Sequence, residues 1–252
     1  MDYQAHFQMS TTDLFGCVSP WLLLQEVNDC TGYEFEADGV GIVRMINELG
    51  ATWMMGQMVM ENFEPIQPGM EVRINMPPRE LHGVGIVRRA HLWDGDLERA
   101  RVTLKMLPVY FTSRKVVPPA ELERLWMTPD RPAGEPIHWV ALPEHMELAD
   151  KILVRRHMCD VNGHMTAFQY LNFICEAAGY WGEALHLIRR MQVDFKAEFL
   201  PGETLELYRA EENGLIYVSG LHEDGRLGFR AGVALDQEET PTAKTWLHEM
   251  GK

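Results

Sequence analysis

Long apolar segments are missing from this sequence. No run of eighteen or more uninterrupted apolar residues occurs, and the first ten residues include Asp2, Gln4 and His6 where a signal peptide would need an apolar core. We therefore predict a protein that is not secreted, does not insert into membranes and resides in the cytoplasm.

Metal-binding and cofactor-binding motifs are missing as well. The ten histidines form no HxH or HExxH grouping, and no Gly-rich phosphate loop occurs, so neither a metal nor a cofactor is predicted. The four cysteines show no CxxC spacing, and so few thiols in 252 residues do not suggest a disulfide scaffold. We expect Cys17, Cys30, Cys159 and Cys175 to be reduced and mostly buried.

Positive charge is in short supply. Only 23 basic residues stand against 37 acidic ones, and a net charge of −14 repels phosphate backbones, which argues against a nucleic-acid partner. Large apolar side chains, in contrast, are plentiful. Sixteen methionines and seven tryptophans suit either a core or an apolar ligand tunnel, and a core is the more common use.

A proline-rich stretch divides the chain into two parts. It holds six prolines between residues 116 and 143, around a short predicted helix at 120–126, and is typical of a linker. We therefore predict an N-terminal unit at 1–115, a linker at 116–145 and a C-terminal unit at 146–252.

The two flanking parts repeat each other. A shift of 147 positions places 12–17 over 159–164 and 32–33 over 179–180, and a shift of 133 places 68–69 over 201–202. Each part reads as a short strand, a turn with Asp and Gly, an apolar helix of roughly fifteen to twenty residues, and strands joined as antiparallel hairpins. The strand patterns lie at 83–93, 98–110, 192–199, 215–221 and 227–235. Because these helices are apolar around most of their circumference, a sheet is expected to wrap each one. The prediction is an α+β chain in which a helix held by an antiparallel sheet is made twice.

Chemical differences between the repeats are concentrated at a few positions. The second part has three polar residues, two apart, directly before its helix, and an acid about 34 positions later: Asp160, Asn162, His164 and Glu198. The first part keeps an aspartate at the first position and has different residues at the others: Asp13, Phe15, Cys17 and Pro65. Since the free N–H groups of a helix start favour developing negative charge, we expect only the second part to carry chemistry.

These strings resemble the second half of the acyl-acyl carrier protein (ACP) thioesterases. The resemblance rests on residues 154–164, on Tyr170 and Glu176 and on residues 194–198, and it extends to first-half strings such as 53–58 and 112–115. It implies a bacterial member similar to the plant fatty acyl-ACP thioesterases, with a tandem (double) hotdog fold, each half a long central helix wrapped by an antiparallel β-sheet. It also implies hydrolysis of fatty acyl-ACP thioesters to free fatty acid, which terminates fatty acid synthesis, with acyl carrier protein as the partner.

The same resemblance implies that Asp160, Asn162, His164 and Glu198 form the catalytic site. Glu198 can act as general base on a water, while His164 and Asn162 stabilise the oxyanion and Asp160 orients one of them. The opposite assignment, with His164 as base and Glu198 as its orienter, stays open. The plant members have a cysteine directly after the acid, where this chain has Phe199, and this excludes a covalent cysteine mechanism through that position.

Substrate contacts are expected in the first half, because the family keeps its acyl chain there. This makes Trp53, Met54 and Met58 candidate substrate-binding residues, although a strand rich in Met and Trp is also typical of a plain core. An acidic carrier would need local basic patches. The candidates for docking are Arg88, Arg89, Arg99, Arg101, Arg114, Lys115, Arg155, Arg156, Arg189 and Arg190.

Other functions stay open beside this one: an acyl-CoA thioesterase of the hotdog fold, a hydratase acting on acyl thioesters, and a non-catalytic acyl-binding protein. The hydratase would need a separate Asp–His pair, which the sequence does not offer, and the polar set of the second half argues against a purely binding role. Hotdog units pair into a continuous sheet, so we expect either a monomer with intrachain pairing or a homodimer.

Overall fold

The computed structural model describes residues 1–82, 84–125, 136–182 and 186–238. The helices in these ranges are α1 (Pro20–Ala37), α2 (Ile42–Leu49), α3 (Pro119–Leu125) and α4 (Ala167–Ala177), and two 3-10 turns lie at Met9–Thr11 and Arg156–Met158. The strands are β1 (Asp2–His6), β2 (Ala51–Asn62), β3 (Glu71–Asn75), β4 (Glu80–His82), β5 (Gly85–Asp94), β6 (Leu97–Tyr110), β7 (Glu147–Leu153), β8 (Ile188–Phe195), β9 (Thr204–Glu212), β10 (Leu215–His222) and β11 (Leu227–Leu235). Across the described part of the chain, no helix is both long and apolar enough to cross a membrane.

The strands of the described ranges join one antiparallel sheet. Their order is β1-β3-β5-β6-β2-β8-β11-β10-β9-β7, with β4 paired to β5. The two halves meet where β2 pairs with β8, and there Gln57 lies opposite Asp194 and Glu61 opposite Arg190. Helices α1 and α4 pack against each other, and their buried side chains merge with those of the strands into one core. A helix held by an antiparallel sheet, made twice, is the α+β architecture that the sequence predicts.

Backbone hydrogen bonds repeat between the halves as the sequence repeat requires. Asp13 N–H donates to the C=O of Cys17 (2.8 Å), and Asp160 N–H donates in the same way to His164 (3.1 Å). A second pair of equivalent bonds follows: Val18 N–H donates to the C=O of Ile66 (2.8 Å), and Met165 N–H donates to the C=O of Phe199 (2.9 Å). Residues 65 and 198 therefore occupy equivalent places, as the shift of 133 positions predicts.

The two central helices differ in length. Helix α1 has 18 residues, within the predicted range, but α4 has only 11, so the prediction of fifteen to twenty residues is wrong for the second half. Gly179 explains the difference, because it takes the left-handed conformation (φ 78°) that ends a helix, whereas Gly32 lies inside α1. The match of 32–33 with 179–180 is therefore not a structural equivalence. Helix α1 instead ends two turns later, before Gly39 (φ 73°).

Helix α2 is a further element that the sequence reading did not identify. It is short, and only Met45 is buried among its residues. Gly50 ends it in the left-handed conformation (φ 60°) and leads directly into β2. Helix α2 therefore lies on the surface just before β2, the strand that pairs with β8 to form the seam between the two halves.

The proline-rich stretch contacts the first half at its start, where Val117 bonds to Pro108, and the second half near its end, where Val140 bonds to Asp194. Helix α3 matches the short predicted helix, apart from Trp126, which lies outside the described residues. Further on, the segment 136–142 crosses the outer face of the seam, where Val140 N–H donates to the carboxylate of Asp194 (2.7 Å). Residues 126–135 and 239–252 also lie outside the described ranges. The bounds 1–115, 116–145 and 146–252 stay a prediction.

Candidate active site

The turn between β7 and α4 is shaped by Asp160. Its backbone C=O accepts the N–H of Gly163 (3.0 Å), which takes the left-handed conformation (φ 81°) that a bulky residue would resist. Its carboxylate oxygen Oδ1 accepts the N–H of Asn162 (2.8 Å). Asp160 thus orients the turn itself, and through the backbone it places Asn162 and His164, whose side chains are partly exposed.

Glu198 reaches this turn from the segment that follows β8. The prediction of a strand over 192–199 is wrong at its end, because β8 stops at Phe195. The N–H groups of Lys196 and Ala197 both donate to the C=O of Gly228 (2.8 and 3.0 Å), which bulges the chain beyond the strand. The bulged segment carries Glu198 to the imidazole, with 3.3 Å between Glu198 Oε1 and His164 Nε2.

Both ring nitrogens of His164 face oxygen atoms. Nδ1 lies 3.2 Å from the C=O of Met165, and Nε2 faces Glu198. A carbonyl oxygen accepts hydrogen bonds, so Nδ1 has an acceptor in Met165, while Nε2 is the ring nitrogen that faces the carboxylate. The contact at Nε2 is electrostatic, because its angles are not those of a hydrogen bond and the buried Oε1 has no hydrogen-bond partner among the described residues.

Arg114 is a member of the site that the sequence reading missed. Its Nη2 lies 3.2 Å from Oε2 of Glu198, and it comes from the turn after β6, in the first half. The signal in the sequence was the string 112–115, which we interpreted only as part of a resemblance and as a docking pair. The charged cluster around Glu198 therefore spans both halves, while the expectation that only the second half carries the chemistry stays a prediction.

Tyr170, on α4, packs against the segment that carries Glu198. Its ring packs edge-on against Phe195 (5.6 Å between centroids) and Phe229 (5.2 Å), and its hydroxyl accepts the N–H of Phe199 (3.4 Å). Burial, more than any nearby charge, raises the pKa of the Tyr170 hydroxyl. Tyr170 is therefore a neutral support beneath Glu198.

The equivalent turn of the first half is closed. Asp13 accepts the N–H groups of Phe15 (2.9 Å) and Cys17 (3.0 Å), and its other oxygen accepts the hydroxyl of Tyr180 (2.8 Å), which reaches across from the end of α4. Phe15 and Cys17 are buried, and burial raises the pKa of the Asp13 carboxyl despite these hydrogen bonds. The first turn thus serves packing, while the second is open to solvent.

The four cysteines are free thiols, and three of them are buried. Burial raises the pKa of Cys17 and of Cys30 to about 12, and it also raises that of Cys175. Cys159 is partly exposed, but burial and then the neighbouring Asp160 raise its pKa as well. Since the thiolate is the reactive form, none of these thiols is prepared to act as a nucleophile.

One of the three predicted substrate-binding residues lines a groove. Trp53 lies in a groove of about 460 Å³ beside α1, where its indole packs on Phe35 (4.5 Å between centroids) and donates to the C=O of Val40 (2.8 Å). Met58 is fully buried in the core. Met54 stands between two core-facing residues of β2 and so points to the opposite face of the sheet.

Most of the predicted docking residues are already neutralised by an acid. The contacts are Arg88 with Glu34, Arg89 with Glu80, Arg99 with Asp94, Arg101 with Glu98, Arg114 with Glu198, Arg189 with Asp236 and Arg190 with Glu61. Lys115, Arg155 and Arg156 are exposed and have no ion pair within the described ranges. Lys115 follows Arg114, and the two arginines open the 3-10 turn that leads to Asp160. The unpaired part of the docking set therefore flanks the candidate site in sequence.

Comparison with known proteins gives one match at the level of sequence and several at the level of structure. The family model of the acyl-ACP thioesterase C-terminal domain matches residues 143–245. No curated protein sequence matches the chain. The match covers the open turn, α4 and the segment of Glu198.

Two solved structures superpose over nearly the whole chain. An acyl-ACP thioesterase from Bacteroides thetaiotaomicron VPI-5482 has a TM-score of 0.75 at 17% identity, over 94% of this chain and 97% of that one. A 12:0-ACP thioesterase from Umbellularia californica has a TM-score of 0.79 at 14% identity, over 93% and 96%. At such identities the similarity establishes the fold.

Proposed function

We propose that the protein hydrolyses fatty acyl-ACP thioesters to free fatty acid and the carrier thiol, and so ends fatty acid synthesis. The proposal is supported by the match of residues 143–245 to the acyl-ACP thioesterase C-terminal domain and by the tandem hotdog fold that the chain shares with the solved acyl-ACP thioesterases. The proposal depends on one observation above all. Oε1 of Glu198 lies 3.3 Å from Nε2 of His164, and His164 belongs to the open one of the two duplicated turns, just before α4.

In the proposed reaction, Glu198 acts as the base and His164 as the acid. Glu198 takes a proton from a water molecule while the water oxygen bonds to the carbonyl carbon of the thioester. The carbonyl electrons move to the oxygen, and His164, Asn162 and the free N–H groups at the start of α4 hold the negative charge. When the carbonyl re-forms, the carbon–sulfur bond breaks and the leaving thiolate takes the proton of His164. Glu198 then returns its proton to the imidazole across their contact.

The role of His164 as acid is supported by the surroundings of its ring. Both nitrogens face oxygen atoms that can accept a hydrogen bond, so the ring is placed to donate a proton to the leaving thiolate rather than to take one from water. Glu198 is partly buried, with 21% of its side chain exposed, and one of its oxygens has no hydrogen bond among the described residues. A carboxylate with a free lone pair is what a general base requires.

Recognition of the carrier is assigned to Lys115, Arg155 and Arg156. Because the chain carries a net charge of −14, an acidic carrier would be repelled overall and must be attracted locally. These three residues offer exposed positive charge without a neutralising partner in the described part of the chain. The phosphates of coenzyme A would be attracted by the same residues, which keeps an acyl-CoA thioesterase as the second candidate.

A panel of acyl-ACP and acyl-CoA thioesters of varied chain length, followed by release of free thiol, tests the proposal. We expect turnover of acyl-ACP with the higher kcat/KM, and a loss of about 100- to 10,000-fold in kcat for Glu198→Gln. Glu211→Gln, an exposed glutamate paired with an arginine on β9, is the matched control and should match the parent. No thiol release across the panel would refute the function, and full activity of Glu198→Gln would refute the site.

A further inference from the structure

The turn that follows β6 presents a cation to the candidate active site from the opposite half of the molecule. Arg114 places Nη2 at 3.2 Å from Oε2 of Glu198, while Oε1 of the same carboxylate faces His164 at 3.3 Å. The two oxygens of Glu198 are thus held from opposite sides. One contact comes from the turn before α4, and the other comes from the first half.

The backbone at Arg114 is unusual for a residue with a long side chain. Its φ of 56° lies in the left-handed region, which is uncommon for residues other than glycine, asparagine and aspartate. The turn is held by the N–H of Arg114, which donates to the C=O of Tyr110 (2.9 Å), and the guanidinium lies over the ring of Phe111 (5.2 Å to the centroid). These contacts hold the guanidinium at the site on a fixed turn.

We propose that Arg114 is a positioning residue that orients the Glu198 carboxylate for proton abstraction. This inference rests on the proposed function. Arg114 binds Oε2 and thereby turns Oε1 toward the imidazole and the reacting water. Among the described residues, Arg114, His164 and the hydroxyl of Tyr170 face Glu198. Of these three, Arg114 brings a guanidinium, whose planar set of N–H donors suits a carboxylate.

A purely structural role explains the contact less well. The side chain of Arg114 is 36% exposed, and exposed ion pairs contribute little to stability because water screens them. A strained backbone that gains so little stability is typical of a functional constraint. We therefore expect replacement of Arg114 to change the reaction much more than the free energy of unfolding.

The test compares Arg114→Gln and Arg114→Lys with the parent. For Arg114→Gln we expect kcat to fall about 10- to 100-fold, since a misplaced reacting group costs rate, with KM within about twofold of the parent. Arg114→Lys should recover most of kcat, and added guanidinium should restore part of the activity of Arg114→Ala.

Arg209→Gln is the matched control, because Arg209 has a similar exposure of 39% and also pairs with a glutamate, Glu211, at 2.8 Å. It should leave kcat unchanged. The inference is overturned if Arg114→Gln keeps the parent kcat, or if it raises KM alone, as a carrier-docking residue would. Glu198→Gln distinguishes failure of this inference from failure of the proposed function. If Glu198→Gln is inactive and Arg114→Gln is fully active, this inference is refuted and the proposed function stands.

Discussion

Replacement of Asp194 should lower the free energy of unfolding, because this residue links the two halves where β2 pairs with β8. Its carboxylate is fully buried and accepts hydrogen bonds from three different elements. Oδ1 accepts from the side chain of Gln57 on β2 (2.9 Å), and Oδ2 accepts from the backbone of Val140 (2.7 Å) and from Arg230 on β11 (2.9 Å). One side chain therefore connects the first half, the segment 136–142 and the second half.

The cost can be worked out from these bonds. Asp194→Asn keeps the acceptor toward Gln57 but places an NH₂ group where Val140 and Arg230 both donate. With hydrogen bonds to a charged group contributing about 1.5–3 kcal/mol each, and with such contributions less than additive, we expect a loss of about 2–4 kcal/mol. Asp194→Ala removes the acceptor of the Arg230 guanidinium and of the Val140 N–H, and it should cost about 3–5 kcal/mol.

Urea unfolding followed by tryptophan fluorescence measures these losses directly. A loss of about 3 kcal/mol lowers the midpoint by about 1 M or more. Asp150→Asn is the control, because the exposed Asp150 accepts only the neighbouring N–H of Lys151 and should cost under about 0.5 kcal/mol. A midpoint for Asp194→Asn equal to that of Asp150→Asn would refute the reasoning, since it would show that the seam does not depend on the carboxylate.

Three further predictions follow from the two turns and the groove. Because burial raises the pKa of Asp13, the folded protein keeps this proton to higher pH than the unfolded chain does. The stability that Asp13 contributes therefore falls as pH rises from about 4. Between about pH 4 and 7 the urea midpoint of Asp13→Asn should rise relative to that of the parent, and a constant difference between the two midpoints would contradict this. Cys159→Ser should keep kcat within about twofold, because the pKa of this thiol is raised; a loss of more than tenfold in the thiol-release assay would contradict this. Trp53→Ala should widen the groove and shift the preferred acyl chain to greater length, with each methylene changing binding by about 1–3 kcal/mol; an unchanged chain-length profile on a panel of acyl-ACP would argue against a substrate role for Trp53.

Much of this architecture can be predicted from sequence because its signals are local. The hairpin strands predicted at 98–110, 215–221 and 227–235 lie within one residue of β6, β10 and β11, since alternation of apolar residues and tight turns fix such elements. The repeat predicts the equivalence of residues 65 and 198, and the backbone bonds agree with it. Three of the four catalytic candidates are local signals too, because Asp160, Asn162 and His164 occupy a single turn.

The features that escaped prediction depend on contacts between distant parts of the chain. The ends of strand β8 and helix α4 are set by a shared acceptor at Gly228 and by the conformation of Gly179, and neither is visible in a pattern of apolar residues. The approach of Arg114 to Glu198 requires that β6 end beside the second half, which only the complete sheet determines. Closure of the first turn by Tyr180 is another contact between halves, over 167 positions of sequence.

The hydrogen bond from Tyr180 to Asp13 has a consequence for how this protein can diversify. The two halves share one scaffold, but this bond closes the first of the two turns, so under the proposed function the reaction would take place at the second turn. The silent copy is thereby released from the demands of chemistry. Its interior can vary in depth and shape while the groups that handle protons stay untouched, and ligand preference and turnover become traits that selection adjusts separately.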